Sequence, residues 1–117
     1  MKSGFMMQIN EEKSGAVTVV KPAGPLVMAE VDQFRDRLMQ VRAASMGRFV
    51  IDASTMSFVD STGLEVLADL QDELAQSGQF LKLCGVNETV REVLDLTELA
   101  SMFEMFHDVS SAVRSFH

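Results

Sequence analysis

Arg48-Phe49-Val50-Ile51-Asp52, then the loop Ala53 to Val59, then Asp60-Ser61-Thr62-Gly63-Leu64, is the stretch on which the reading of the fold turns. Phe49, Val50 and Ile51 form an unbroken apolar run, the mark of a short central strand covered on both faces. Asp60, Ser61 and Thr62 carry side-chain oxygens that accept bonds from the unpaired amides of a helix's first turn, and Gly63 allows another backbone to approach closely. A buried strand, a loop and a helix start therefore follow one another.

Downstream, Leu64, Leu67, Leu70 and Leu74 recur at helical spacing, Gly78 ends that run, and Phe80-Leu81-Lys82-Leu83-Cys84 reads as the next strand. Upstream, Val31, Phe34, Leu38 and Val41 give an amphipathic helix between Ala29 and Ala44, with Asp32, Arg35, Asp36 and Arg37 on its other faces and Gly47 after it. Met6 to Asn10 and Ala16 to Lys21 are β-prone, and the polar Glu11 to Gly15 between them is expected to be a hairpin loop. Pro22, Gly24 and Pro25 are expected to stop the second strand. Asn87 to Leu96 predicts a third helix, Met102 to Phe106 an edge strand, and Val109, Ala112, Val113 and Phe116 a last helical stripe. Strands alternating with helices of this length imply the α/β class: a mixed central β-sheet with helices packed against it and right-handed crossovers.

The 117 residues suit one domain, residues 1–117 with a core from about 6 to 116, and apolar periodicity runs through them without a repeat or linker. A net charge of −7 disfavours attraction to nucleic-acid phosphates or an anionic membrane, so a protein partner is expected. Cys84 is the only cysteine, which excludes an internal disulfide framework and suits a reducing, cytoplasmic setting. The apolar runs are too short for membrane insertion, and no export signal is read.

Around Ser61 two signals meet. The positive end of the helix dipole favours an added anion where hydroxyls already cluster. Ser61 could instead be a plain helix cap, and Asp60 could orient its hydroxyl, contact a partner, or cap. Asp52 is read as a structural end to its strand.

Ile51-Asp52 followed by Ser57-Phe58-Val59-Asp60-Ser61-Thr62-Gly63-Leu64 resembles the signature of the STAS domain family, in particular its stand-alone bacterial anti-sigma-factor antagonists. Leu83-Cys84-Gly85-Val86, and Val90 to Leu96 with Phe103, are similar to the family's later strand, turn and helix. The resemblance implies a STAS-like fold and a substrate rather than an enzyme. It makes Ser61 the phosphoacceptor, with Thr62 the alternative. It implies as partner an anti-sigma factor that is itself a serine kinase, bound by the unmodified chain so that a sigma factor is freed. Phosphorylation would end that binding, and a phosphatase of the metal-dependent serine/threonine type would restore it. Asp60, Ser61, Thr62 and Gly63 would form the docking face, with Met56, Phe58 and Val59 as its apolar part, since methionine and aromatic side chains are enriched in interfaces. Gly24-Pro25-Leu26-Val27 departs from the family's Gly-x-Leu-Asp by having no acid at the last place. Two other roles open to such a domain are a constitutive accessory subunit of an ABC-type transport complex and a scaffold component of a signalling assembly.

Other chemistry is not expected. No Gly-x-Ser-x-Gly elbow surrounds Ser61, so a serine hydrolase is disfavoured, and no phosphate-binding or dinucleotide glycine motif occurs. His107 and His117 are too few and too separated for a metal centre, so no metal or cofactor is expected. Cys84 reads as a small core side chain, and Asn87-Glu88-Thr89 as a helix cap.

Overall fold

The computed structural model describes residues 7–117, so the Met6 end of the first expected strand lies outside the described residues. Its strands are β1 (Gln8–Ser14), β2 (Val17–Ala23), β3 (Phe49–Asp52), β4 (Lys82–Cys84) and β5 (Glu104–Phe106), and its helices α1 (Val31–Ser45), α2 (Ser61–Ala75), α3 (Glu88–Leu96) and α4 (Val109–Arg114). They form one five-stranded sheet in the order β1-β2-β3-β4-β5. β1 runs antiparallel to β2, and every later pair is parallel, which makes the sheet mixed and places β3 at its centre.

The hairpin differs from the sequence expectation. Glu11, Glu12, Lys13 and Ser14 belong to β1 and pair with β2, and only Gly15 and Ala16 turn the chain. The reason is position: β1 is an edge strand with nearly every side chain in water, so a run of charges enters the ladder freely and discourages pairing with other chains. Gly15 supplies φ +62° at the first place of the two-residue turn, which the tight hairpin requires.

Pro22 does not stop β2 either. It lies opposite Ile9 within the strand, beyond the last β2–β3 pair, Val20 with Ile51. With β3 no longer alongside, its missing amide donor removes no bond to that neighbour. Its carbonyl accepts instead from the Thr55 hydroxyl at 2.9 Å.

Side chains alternate across the sheet and build two cores. Val20, Ile51 and Leu83 pack with Phe34 and Leu38 of α1, Leu67, Leu70 and Leu74 of α2, and Leu94 of α3. Val17, Val50 and Cys84 project to the other face and are covered by Ala112 of α4, with Phe106 and Phe116 alongside. Lys82 joins that second layer, pairing with Glu104 while its ammonium lies 4.7 Å from the centre of the Phe116 ring. Burial raises the Cys84 thiol pKa to about 12, helped by the negative charges of Asp52 and Asp108, so the thiol is inert core.

Phe80 is solvent-exposed and β4 starts only at Lys82, because the preceding Leu81 amide donates to the Gln71 side chain at 2.7 Å rather than to a strand.

Candidate functional site

β3 ends at Asp52 in the interior of the sheet, and the loop after it is stitched to its surroundings. Asp52 is buried and its Oδ1 accepts from the Ser54 amide at 3.0 Å, the structural role expected of it. Asn87 donates to the Met56 carbonyl at 3.1 Å while accepting from the Val90 amide at 2.8 Å, so one side chain caps α3 and clamps the loop. A short ladder links the segment after β2 to the loop: Gly24 donates to Thr55 at 2.8 Å, Leu26 to Phe58 at 2.8 Å, and Asp60 to Leu26 at 3.2 Å. These bonds hold the entry to α2 in one place before any partner arrives.

Asp60, in extended backbone conformation, is the N-cap of α2. Its Oδ1 accepts from the Gly63 amide at 2.9 Å and the Thr62 hydroxyl at 2.7 Å, and its Oδ2 accepts from the Met28 amide at 3.0 Å. Burial acts to raise its pKa, but these donors, with the Thr62 amide, favour the charged form more strongly and leave the carboxyl below its ordinary value. With the cap supplied by Asp60, Ser61 does not cap the helix. It is the first residue of α2, exposed, and among the described residues its hydroxyl has no hydrogen-bond partner. Thr62, by contrast, spends its hydroxyl proton on Asp60.

Gly63 is buried where α2 meets the ladder: a Cβ there would lie 2.5 Å from the Leu26 carbonyl oxygen and 2.7 Å from Val59 Cγ2. Only glycine lets the helix start this close to the Leu26 backbone.

The apolar part of the expected docking face needs correction. Met56 and Val59 are each 1% exposed and belong to the main core, because the loop folds inward to bridge Leu26 and Asn87. Their side chains are not available to a partner. Phe58 points outward at 42% exposure, and Met28, which sequence reasoning did not single out, is 70% exposed and tied to Asp60. No local sequence signal marks Met28, because its bond to Asp60 joins residues far apart in the chain.

α2 contains no lysine or arginine, and Glu65, Asp69 and Asp72 are exposed along it behind Ser61. Among the described residues no group of three or more His, Cys, Asp or Glu side chains is arranged to hold a metal ion, and no helix is long and apolar enough to cross a membrane.

Residues 8–112, which include this strand, loop and helix, match the family model of the STAS domain. The chain belongs to the STAS domain family. This STAS domain is similar to the anti-sigma F factor antagonist of Paenibacillus polymyxa, with 24% identity over 108 residues and 92% of each chain covered. It is similar in structure to a Thermotoga maritima protein provisionally named an anti-sigma factor antagonist, at a TM-score of 0.83 and 21% identity, again over 92% of each chain. The anti-sigma factor antagonist SpoIIAA, solved in its unphosphorylated form, shares the fold at a TM-score of 0.67 and 17% identity, over 93% of this STAS domain and 96% of that chain.

Proposed function

We propose that this STAS domain is a cytoplasmic anti-sigma-factor antagonist of a partner-switching pathway, turned off by phosphorylation of Ser61. The unmodified chain binds an anti-sigma factor that is also a serine kinase and so releases a sigma factor; a metal-dependent serine/threonine phosphatase removes the phosphate from Ser61 and restores binding. The domain is a substrate in this cycle, not a catalyst.

The observation that carries the reading is the exposed hydroxyl of Ser61 at the first position of α2, without a hydrogen-bond partner among the described residues, beside a cap already filled by Asp60. A kinase can take that hydroxyl without breaking a hydrogen bond, whereas modifying Thr62 would break its bond to Asp60. The name of the Paenibacillus relative, an anti-sigma F factor antagonist, supports the antagonist role.

A phosphate adds a charge of roughly −1.5 to −2 beside Asp60, on a surface whose neighbouring helix charges are all acidic. Swinging occupancy from 99:1 to 1:99 requires about 5.5 kcal/mol. Burying an uncompensated dianion in an interface is of that order.

Phosphopeptide mass spectrometry on the protein from its native cells, with and without phosphatase, tests the assignment. The expected result is a single phosphate on Ser61 that phosphatase removes; a peptide unmodified in every growth state overturns it.

A further inference from the structure

We propose that Asp60 is a positioning residue that couples the charge on Ser61 to the placement of Met28. The two carboxylate oxygens have separate tasks. Oδ1 caps α2 through Gly63 and Thr62, while Oδ2 holds the backbone amide of Met28, 32 residues away in sequence. Leu26 is already tied to the loop and to Asp60 through the ladder. The Oδ2 bond fixes the next part of the chain, Met28, whose side chain is the most exposed apolar one of this surface, beside the α2 start, at the turn in which Glu30 donates to the Val27 carbonyl and leads into α1.

A phosphate on Ser61 adds a charge of roughly −1.5 to −2 one residue from this carboxylate and seeks the same helix-terminal amides. Neither segment of the site offers a compensating cation: residues 22–34 and 49–81 contain no lysine or arginine. The repulsion therefore falls on Asp60. Oδ1 is retained by two donors, and Oδ2 by one, so the bond to Met28 is the one given up. Phosphorylation then acts twice, by placing charge at the docking face and by releasing the Met28 segment from it. The biological meaning of the coupling rests on the function proposed above, but the coupling itself belongs to the isolated chain.

The test uses the full chain with phosphoserine introduced at position 61 during translation, and reads amide hydrogen exchange by NMR. The Met28 amide is expected to exchange roughly fivefold to tenfold faster than in the unmodified chain, the weight of one net hydrogen bond. The Gly63 amide is expected to keep its protection. Asp60→Asn provides the second arm, since asparagine still caps through its carbonyl oxygen but turns a donor toward Met28. It is expected to speed exchange at Met28 and leave Gly63 protected without any phosphate. Unchanged exchange at Met28 in either protein overturns the coupling, and so does equal acceleration at Met28 and Gly63, which would be fraying of α2 as a whole. Partner binding is not read, so the coupling can fail while Ser61 phosphorylation in cells stands, and the reverse.

Discussion

Replacing Gly63 by alanine probes the joint on which the site is built. The added Cβ would sit 2.5 Å from the Leu26 carbonyl oxygen, 2.7 Å from Val59 Cγ2 and 3.1 Å from Leu26 Cγ. Side-chain rotation cannot relieve the first contact, because the atom belongs to the backbone that accepts from the Asp60 amide. The α2 start must therefore move away from the ladder, weakening the Asp60–Leu26 bond. Overpacking of this kind costs about 1–3 kcal/mol, with this case near the upper end. Alanine returns up to about 1 kcal/mol in helix propensity. The net expectation is a loss of about 2 kcal/mol, or roughly 8 °C in Tm for a domain of this size. Urea unfolding followed by circular dichroism reads it directly. A midpoint equal to or above that of the parent chain would mean that α2 does not lie against Leu26 as described, and the account of the site would fall with it.

Ser61→Ala is expected to leave stability within about 0.5 kcal/mol, since the exposed hydroxyl has no hydrogen-bond partner among the described residues, whereas Asp60→Ala should lose about 1–2 kcal/mol with the cap; the same unfolding assay separates them, and a large loss for Ser61→Ala would reassign the cap. Asp60 has a lowered pKa in the folded chain, so its contribution is present above the unfolded value of 3.8 and lost as pH falls through the lower folded value. An acid titration of stability should accordingly be shallower for Asp60→Asn than for the parent as pH falls from about 3.8 through the lower folded value, and parallel curves across that window would contradict the assigned bonds. Cys84, with a thiol pKa of about 12 and no exposure, should resist iodoacetamide at pH 8 in the folded protein and react once urea unfolds it; rapid labelling of the native chain would show that α4 does not cover it.

Much of the fold was legible because the deciding residues act locally. The leucines of α2, the apolar Phe49-Val50-Ile51 run and the Asn87 cap each reveal their element from a few neighbours, and the alternation of strands and helices leaves few ways to assemble them. The errors fell where neighbours in space overruled neighbours in sequence. Glu11 to Ser14 look like a loop by composition, yet at a sheet edge their charges meet only water and the ladder continues. Pro22 looks like a stop, yet it lies where β3 no longer runs alongside.

The candidate site divides in the same way. The motif Asp60-Ser61-Thr62-Gly63 by itself determined where the helix begins, that a hydroxyl stands at the favourable end of its dipole, and which family the chain resembles. Which oxygen caps the helix, and which is left free for chemistry, was decided only by tertiary structure. Asp60 can accept from Met28 solely because Leu26 runs beside Val59, and that pairing joins residues far apart in the chain. The same pairing turns Met56 and Val59 inward and leaves Phe58 and Met28 outside. Composition marks all four as apolar; burial is a property of the assembled surface, and it cannot be read from any one segment of the chain.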